Sequence, residues 1–405
     1  MMQRAIAAAI LANGKSVLNN YTPCGDTDSA LQIARDLGCR IQIDGKRILI
    51  TGSYSKLSAD DQPGFNTEKT IINCGESGLA MRMFTPVAAL DHRWITLSGK
   101  GSLLKRPVSM LESPLKELGA NIETNNGFVP VKVKGPLKGG YATVDGSISS
   151  QLLTGLLIAL PCTDEDSILL VDNLTSKPYI EMTLQVMKAF GVEASHSDYK
   201  TFSIKGKQEY HPVEYDVEGD WSGAAFLLVA GALRGSVIVE NLSTDSLQAD
   251  TKILKALDLA GARVTSSGNS VYVEKSSLNA FEFDATDCPD LFPPLVALAS
   301  HCKGRSFLKG VGRLQHKESN RAIVLKDEFA KLGTEIKLQD DLMIIEGGLL
   351  KGGKVHSNND HRIAMSTAVA ATAATDPVII ENSESVAKSY PGFYEDLKTI
   401  GVHIE

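Results

Sequence analysis

The chain has 405 residues, enough for two or three packed cores at about 150 residues per domain. Its apolar fraction of 43% and charged fraction of 22% are those of an ordinary globular protein and exclude a disordered tail, a collagen-like fibre and a coiled coil. With 41 basic against 48 acidic residues the net charge is −7, so no overall positive field is present to hold a nucleic-acid backbone, and no apolar run reaches the ~20 residues that cross a bilayer.

In chain order, Met1-Met2-Gln3-Arg4 and the apolar stretch Ala5 to Ala12 come first. That stretch ends in Asn13-Gly14-Lys15 without an extended apolar region or a clear cleavage site, so it reads as an amphipathic or buried helix and the chain as cytoplasmic. A short phrase then recurs, in which a helix tail runs into a glycine and an alternating strand begins. It stands around Gly38, Gly119, Gly191, Gly261, Gly333 and Gly401, at spacings of 81, 72, 70, 72 and 68 residues. Glycine there supplies the positive φ that ends a helix before a strand. Each interval exceeds a solenoid repeat and is long enough for two helices and three or four strands. Between the glycines, strands are expected at Phe128 to Val133, Ser167 to Val171, Ser236 to Glu240 and Leu342 to Glu346, and helices at Gln151 to Leu160, Glu181 to Phe190 and Gly223 to Leu233. A seam is expected near Tyr215 to Asp220, so the architecture is six α/β units grouped as two lobes of three with a cleft between them.

Several chemistries fall away by motif. Gly348 to Lys354 fits a phosphate loop only until Val355, where Ser or Thr is required. Gly99-Lys100-Gly101 lacks the third glycine of a dinucleotide fingerprint, and no nucleophile elbow or H-E-x-x-H is present. The six cysteines form no C-x-x-C and no Cys/His zinc spacing, so buried thiols and no metal are expected. What remains are basic and hydroxyl clusters in turns: Lys105-Arg106-Pro107, Ser147 to Gln151, Ser176-Lys177-Pro178-Tyr179, His316 to Arg321 and Asn359 to Arg362. One such cluster is more often a solvated cap than a site. Several at helix starts across a repeat point to a substrate carrying more than one phosphate or carboxylate.

The phrases SSQLLTGLLIALP (Ser149 to Pro161), SKPYIEMT (Ser176 to Thr183), HKESNR (His316 to Arg321), NDHRIAM (Asn359 to Met365) and AKSYPGFYEDL (Ala387 to Leu397) resemble the 5-enolpyruvylshikimate-3-phosphate synthase family, the target family of glyphosate, in order from Arg4 to the C-terminus. The resemblance implies a two-lobed α/β enolpyruvyl transferase fold of six β-α-β-α-β-β units, three per lobe, with the active site between the lobes. It implies a first lobe over 1–217 on the shikimate 3-phosphate side and a second over 218–405 that clamps phosphoenolpyruvate. The implied reaction moves the enolpyruvyl group of phosphoenolpyruvate to the 5-hydroxyl of shikimate 3-phosphate, with loss of phosphate, on the way to chorismate and the aromatic amino acids. By the same resemblance Arg4, Ser149, Ser150, Ser176, Tyr179, Asp290 and Lys317 hold shikimate 3-phosphate. Gly78, Arg106, Gln151, Arg321, Arg362 and Lys388 hold phosphoenolpyruvate. Asp290 takes the proton of the attacking hydroxyl and Glu318 handles protons at the methylene carbon. No cofactor, metal, nucleic acid or membrane is implied, and a monomer is expected.

Three departures from the family accompany the match. The family opens with a strand and a loop carrying a catalytic Lys and a Ser just before the position of Arg4, and this chain starts at Met1, so those two residues are expected to be missing. Glu76 stands where the family has Asn, placing a negative charge close to phosphoenolpyruvate, and Leu79 follows in the same loop. Arg313 stands where Asn is usual. Two alternatives therefore accompany the transferase: an impaired homologue that binds shikimate 3-phosphate without turnover, and the sister transferase acting on UDP-N-acetylglucosamine. Against the latter, the Gly99 to Pro107 loop has no cysteine.

Overall fold

The structure is a computed structural model that describes residues 1–56, 62–147, 149–315 and 317–405. Ile148 and His316, each inside one of the motifs above, lie outside the described residues. The chain divides into two compact units, Met1–Val217 and Glu218–Glu405.

The repeating element is clearest at residues 71–134. Strand Ile71–Asn73 leads into helix Gly78–Ala88, and strand Trp94–Ser98 returns parallel to the first. Helix Glu112–Glu117 follows, and a hairpin of Asn121–Asn125 and Phe128–Lys134 closes the sheet antiparallel. Phe128–Lys134 alternates exposed and buried residues, as a strand with one face on the core must. Residues 140–204 repeat the plan, with Gly140–Asp145 parallel to Ser167–Asp172 and the hairpin Ala194–Ser197 and Thr201–Ile204.

The third sheet of the first unit is built differently. Strand Lys15–Asn19, after helix Met2–Leu11, pairs parallel with Glu214–Asp216 from the far end of the unit. The segment that reads as a seam is thus partly a strand that completes the first repeat, and Asn20 Nδ2 donates to the Val217 carbonyl beside it at 3.0 Å. Helix Met2–Leu11 is buried from Gln3 to Leu11.

Among the described residues the second unit holds three sheets. One has the order Ser236–Val239, Ser270–Glu274, Arg263–Ser267, all antiparallel among the described residues. The next pairs Glu282–Asp284 parallel with Gly304–Lys309 before the hairpin Glu335–Gln339 and Leu342–Gly347. The last pairs Gly353–His356 parallel with Val378–Glu381. Helices Trp221–Arg234, Phe292–Ala299 and His361–Ala371 form the interior of this unit.

The six recurring glycines have φ of +86°, +88°, +82°, +83°, +89° and +90°, and after each the next residue donates its N–H to the carbonyl five residues back. This is the closing pattern in which a left-handed residue satisfies the last orphan carbonyls of a helix. Its recurrence makes the repeat a property of backbone geometry as well as of residue order.

Candidate active site

The parallel strand pairs organise the chemistry. In open α/β sheets, ligands collect beyond the carboxyl ends of parallel strands, where loops and helix N-termini gather. Gly78 and Arg106 follow Ile71–Asn73 and Trp94–Ser98; Ser149, Ser150 and Gln151 follow Gly140–Asp145; Ser176 and Tyr179 follow Ser167–Asp172. In the second unit Asp290 follows Glu282–Asp284, Lys317, Glu318 and Arg321 follow Gly304–Lys309, and Arg362 and Lys388 follow Gly353–His356 and Val378–Glu381. Arg4 is the exception, lying in the first turns of helix Met2–Leu11.

Within the first unit, hydrogen bonds tie these segments together. Arg4 is buried; its Nε donates to Thr183 Oγ1 at 3.0 Å and its Nη2 to the Tyr179 carbonyl at 3.3 Å. Burial pulls its guanidinium down to about 10, against an upward pull from Tyr179. Beside it Gln3 Nε2 donates to Ser77 Oγ at 3.2 Å, and Ser77 caps helix Gly78–Ala88 by accepting from the Ala80 N–H. Arg82, one turn into that helix, donates to Gln151 Oε1 at 2.8 Å and to the Pro107 carbonyl at 3.0 Å. It links the helix start at Gln151 to the turn that carries Arg106. A Cβ on Gly78 would lie 2.6 Å from Arg106 Nη1, so the absence of a side chain there is what lets the guanidinium lie against the helix start.

The hydroxyl cluster differs in detail from a simple cap. Ser150 occupies the N-cap position of helix Gln151–Ala159 without a side-chain cap bond, and Ser149 Oγ accepts from the Gln151 N–H at 3.2 Å. Ser176 is buried at φ +58°, a left-handed conformation that a serine adopts at a cost of order 1 kcal/mol or more, and its carbonyl accepts from the Tyr179 N–H.

Glu76 is engaged locally. Its Oε2 accepts from the Ser102 N–H at 3.3 Å, and Gly101, at φ +55°, passes so close that a Cβ there would meet the carboxylate. The carboxylate thus lies against the turn that leads to Arg106.

In the second unit the six residues named from sequence form one ionic network. Lys317 Nζ and Arg321 Nη1 donate to Asp290 Oδ1 at 3.2 and 3.0 Å, and Arg362 Nη2 to Asp290 Oδ2 at 3.3 Å. Arg321 Nη2 and Lys388 Nζ donate to the two oxygens of Glu318 at 2.7 and 2.8 Å. Burial alone would push the Asp290 carboxyl up, but Arg362, Lys317 and Arg321 hold it well below the usual carboxylate range. Burial lowers the Lys317 ammonium, with Arg321 and Arg313 adding to the effect and Asp290 opposing it.

Asp360 is a partner that sequence reasoning missed. Fully buried, it accepts from Arg321 Nε and Nη2 at 3.0 and 3.2 Å, from Ser319 Oγ at 3.0 Å and from the Arg362 N–H at 3.0 Å. It fixes the side chain of one arginine and the backbone of the other. In the sequence it stands within the Asn359 to Arg362 cluster and the NDHRIAM phrase, before a helix where Asp is a common N-cap, and neither gives it a role of its own. His361 next to it is pushed down to about 3, mainly by burial, and is neutral at ordinary pH. Among the described residues no three His, Cys, Asp or Glu side chains are grouped to hold a metal, and no helix is long and apolar enough to cross a membrane.

Four cations (Lys317, Arg321, Arg362, Lys388) thus interlock with three carboxylates (Asp290, Glu318, Asp360) at the ends of strands and helices. Such a cluster receives anions, and its two partly exposed carboxylates can exchange protons with whatever the cations hold.

Comparison with known proteins shows the family. The model of the family described as EPSP synthase (3-phosphoshikimate 1-carboxyvinyltransferase) matches residues 1–397. The 3-phosphoshikimate 1-carboxyvinyltransferase of Clostridium novyi (strain NT) is 36% identical over 403 residues, covering 99% of this chain and 93% of that one. That of Clostridioides difficile (strain 630) is 36% identical over 411 residues, covering 100% and 94%. The solved structure of EPSP synthase from Acinetobacter baumannii superposes with a TM-score of 0.83 at 26% identity, covering 100% of this chain and 94% of that one. With the family model spanning nearly the whole chain and relatives above a third identical along their length, the chain belongs to the EPSP synthase (3-phosphoshikimate 1-carboxyvinyltransferase) family.

Proposed function

We propose that this chain transfers the enolpyruvyl group of phosphoenolpyruvate to the 5-hydroxyl of shikimate 3-phosphate, by addition and elimination through a tetrahedral intermediate that releases phosphate. The observation that carries the reading is the network of four cations around Asp290 and Glu318. An enol ether carbon becomes electrophilic when its methylene is protonated, so the reaction needs an acid at that carbon, a base at the hydroxyl and fixed positive charge for the intermediate's phosphate and carboxylate.

In this reading Arg4, Ser149, Ser150, Ser176 and Tyr179 of the first unit hold shikimate 3-phosphate, with Lys317 near its 5-hydroxyl. Arg106, Gln151 and the Gly78 helix start hold phosphoenolpyruvate together with Arg321, Arg362 and Lys388. Asp290 accepts the hydroxyl proton. Its cations depress its proton affinity; an anionic substrate that engages Arg362, Lys317 and Arg321 compensates their field and restores it. Glu318, paired with Arg321 and Lys388, gains proton affinity by the same exchange and protonates the methylene. Asp360 keeps Arg321 in place while its other partners change.

The six cysteines are free, five of them buried, which suits a reducing compartment, and the cytoplasm is the proposed location. The names of the relatives favour neither the UDP-N-acetylglucosamine reaction nor a binding protein without turnover. The test is phosphate release from phosphoenolpyruvate with and without shikimate 3-phosphate. Release that requires shikimate 3-phosphate supports the transferase; none, or release that UDP-N-acetylglucosamine supports instead, overturns it.

A further inference from the structure

Each parallel strand pair of the second unit sends predicted site residues from its carboxyl ends. Strand Ser236–Val239 sends none of them, yet the segment beyond it, Ala249–Lys252, carries Asp250 into the same neighbourhood. Asp250 is 2% exposed. Its Oδ2 accepts from the hydroxyl of Ser222, in the first turn of helix Trp221–Arg234, while its Oδ1 is buried and meets no donor among the described residues. Asp290 and Asp220 repel its charge, Arg362 attracts it, and the Cys288 thiol is pushed up in part by it.

A buried carboxylate with one neutral hydrogen-bond donor and two like charges nearby is poorly supported as an anion. Beyond the Ser222 hydroxyl, its support comes from Arg362, which donates its own hydrogen bonds to Asp290 and not to Asp250. An anion that engages Arg362 withdraws that support and adds a further repulsion. The carboxylate then has one low-cost response, which is to bind a proton at Oδ1.

We propose that Asp250 is a positioning residue that takes up a proton from solvent when an anionic substrate engages Arg362, and returns it when the product leaves. This rests on the reading above that Arg362 holds phosphoenolpyruvate. The balance is one proton from bulk water to Oδ1 on binding and back on release, with no bond to the substrate. The consequence is that binding of a highly charged ligand adds less negative charge to the site than the ligand carries, and that the affinity falls as protons become scarce. Burial first, and then Asp290 and Asp220 against Arg362 and the Ser222 hydroxyl, push the Asp250 carboxyl up to about 7, so the exchange falls in the working pH range.

The experiment is calorimetric titration of the full chain with phosphoenolpyruvate alone, which excludes turnover, at pH 8 in two buffers of different ionisation heat. The difference between buffers counts protons bound. Wild type is expected to take up roughly 0.9 proton more than Asp250→Asn, because a group titrating near 7 is about nine-tenths ionised at pH 8. Protonation of the ligand's own phosphate contributes equally to both and cancels. Ser222→Ala removes a bond that favours the ionised form, so its excess uptake at pH 8 is expected to fall to about half of the wild-type value. Equal proton counts in wild type and both variants overturn the proposal and leave the functional reading standing. Loss of the uptake difference in one variant with wild-type behaviour in the other also overturns it. Binding unchanged in Arg362→Ala, or no binding to wild type, overturns the reading and the proposal with it.

Discussion

Between about pH 4 and 6.5 the second unit holds two buried groups whose titrations act on its stability in opposite directions. The His361 ring, pushed from 6.5 down to about 3, stays neutral in the folded chain while the unfolded chain binds a proton. Its contribution is complete above about 6.5 and is lost as pH falls toward 3. Asp250, raised from 3.8 to about 7, is the reverse: the folded chain holds the extra proton, so stability is greatest below about 3.8 and is lost as pH rises toward 7. At about 1.4 kcal/mol per pKa unit, shifts of roughly three units correspond to about 4 kcal/mol each, as upper figures. Both side chains are almost wholly buried, so solvent screening reduces these little. In the wild type the two slopes offset each other. Asp250→Asn is expected to gain roughly 2–3 kcal/mol in unfolding free energy from pH 4.5 to 6.5, and His361→Asn to lose about as much over the same interval. Urea unfolding at pH 4.5, 5.5 and 6.5 measures this through Trp221, which is fully buried in this unit, in a Trp94→Phe background that silences the only other tryptophan. Profiles of the same sign in the two variants, or flat profiles in both, would refute the reasoning.

Three further outcomes are expected. Asp360→Asn places an amide against the buried Arg321 guanidinium; breaking a buried pair of this kind costs ~3–5 kcal/mol, so the thermal midpoint should fall by several degrees or more and the KM for phosphoenolpyruvate should rise. A normal midpoint and KM would show that Asp290 and Glu318 suffice to hold the arginine. Gly78→Ala sets a methyl 2.6 Å from Arg106 Nη1 and must displace it, so steady-state kinetics should show the KM for phosphoenolpyruvate up about tenfold or more with a smaller change for shikimate 3-phosphate. Gly261→Ala meets nothing nearer than 3.6 Å, so its effect is confined to backbone conformation at φ +83°: about 1–2 kcal/mol of stability in urea unfolding, with kcat and KM unchanged.

The legible part of the fold is the part written in local backbone demands. A positive φ at a helix end is met most cheaply by glycine, and all six glycines singled out by spacing occupy that position. The strand Phe128–Lys134 was readable from its alternation, and helices Gln151–Ala159 and Trp221–Arg234 from their apolar runs, to within two residues at each end. Helix Lys177–Ala189 starts four residues before the expected Glu181, because Pro178 is tolerated in a first turn. Strand Glu214–Asp216 was not readable: it has three residues, and its partner lies about two hundred positions earlier. The site divides in the same way. Clusters of charge at helix starts pointed to Lys317 through Arg321 and to Arg362. The partners Asp360, Arg82 and Asp250 meet their contacts 39, 69 and 28 residues away, and separations of that kind leave no periodic trace. The contact of Glu76 with the Ser102 N–H, 26 residues away, left no trace in the sequence for the same reason.

The pairing of Lys15–Asn19 with Glu214–Asp216 also sets a timetable. The earlier strand waits for a neighbour that leaves the ribosome about two hundred residues later, roughly 10–40 s at ordinary elongation rates. During that interval the sheet of the first repeat has one bare edge, while the next two repeats can close from contiguous chain. That edge of the first-repeat sheet is therefore expected to close after the second and third repeats have formed. An arrest of translation before Glu214 would leave Lys15–Asn19 open to pairing with other chains.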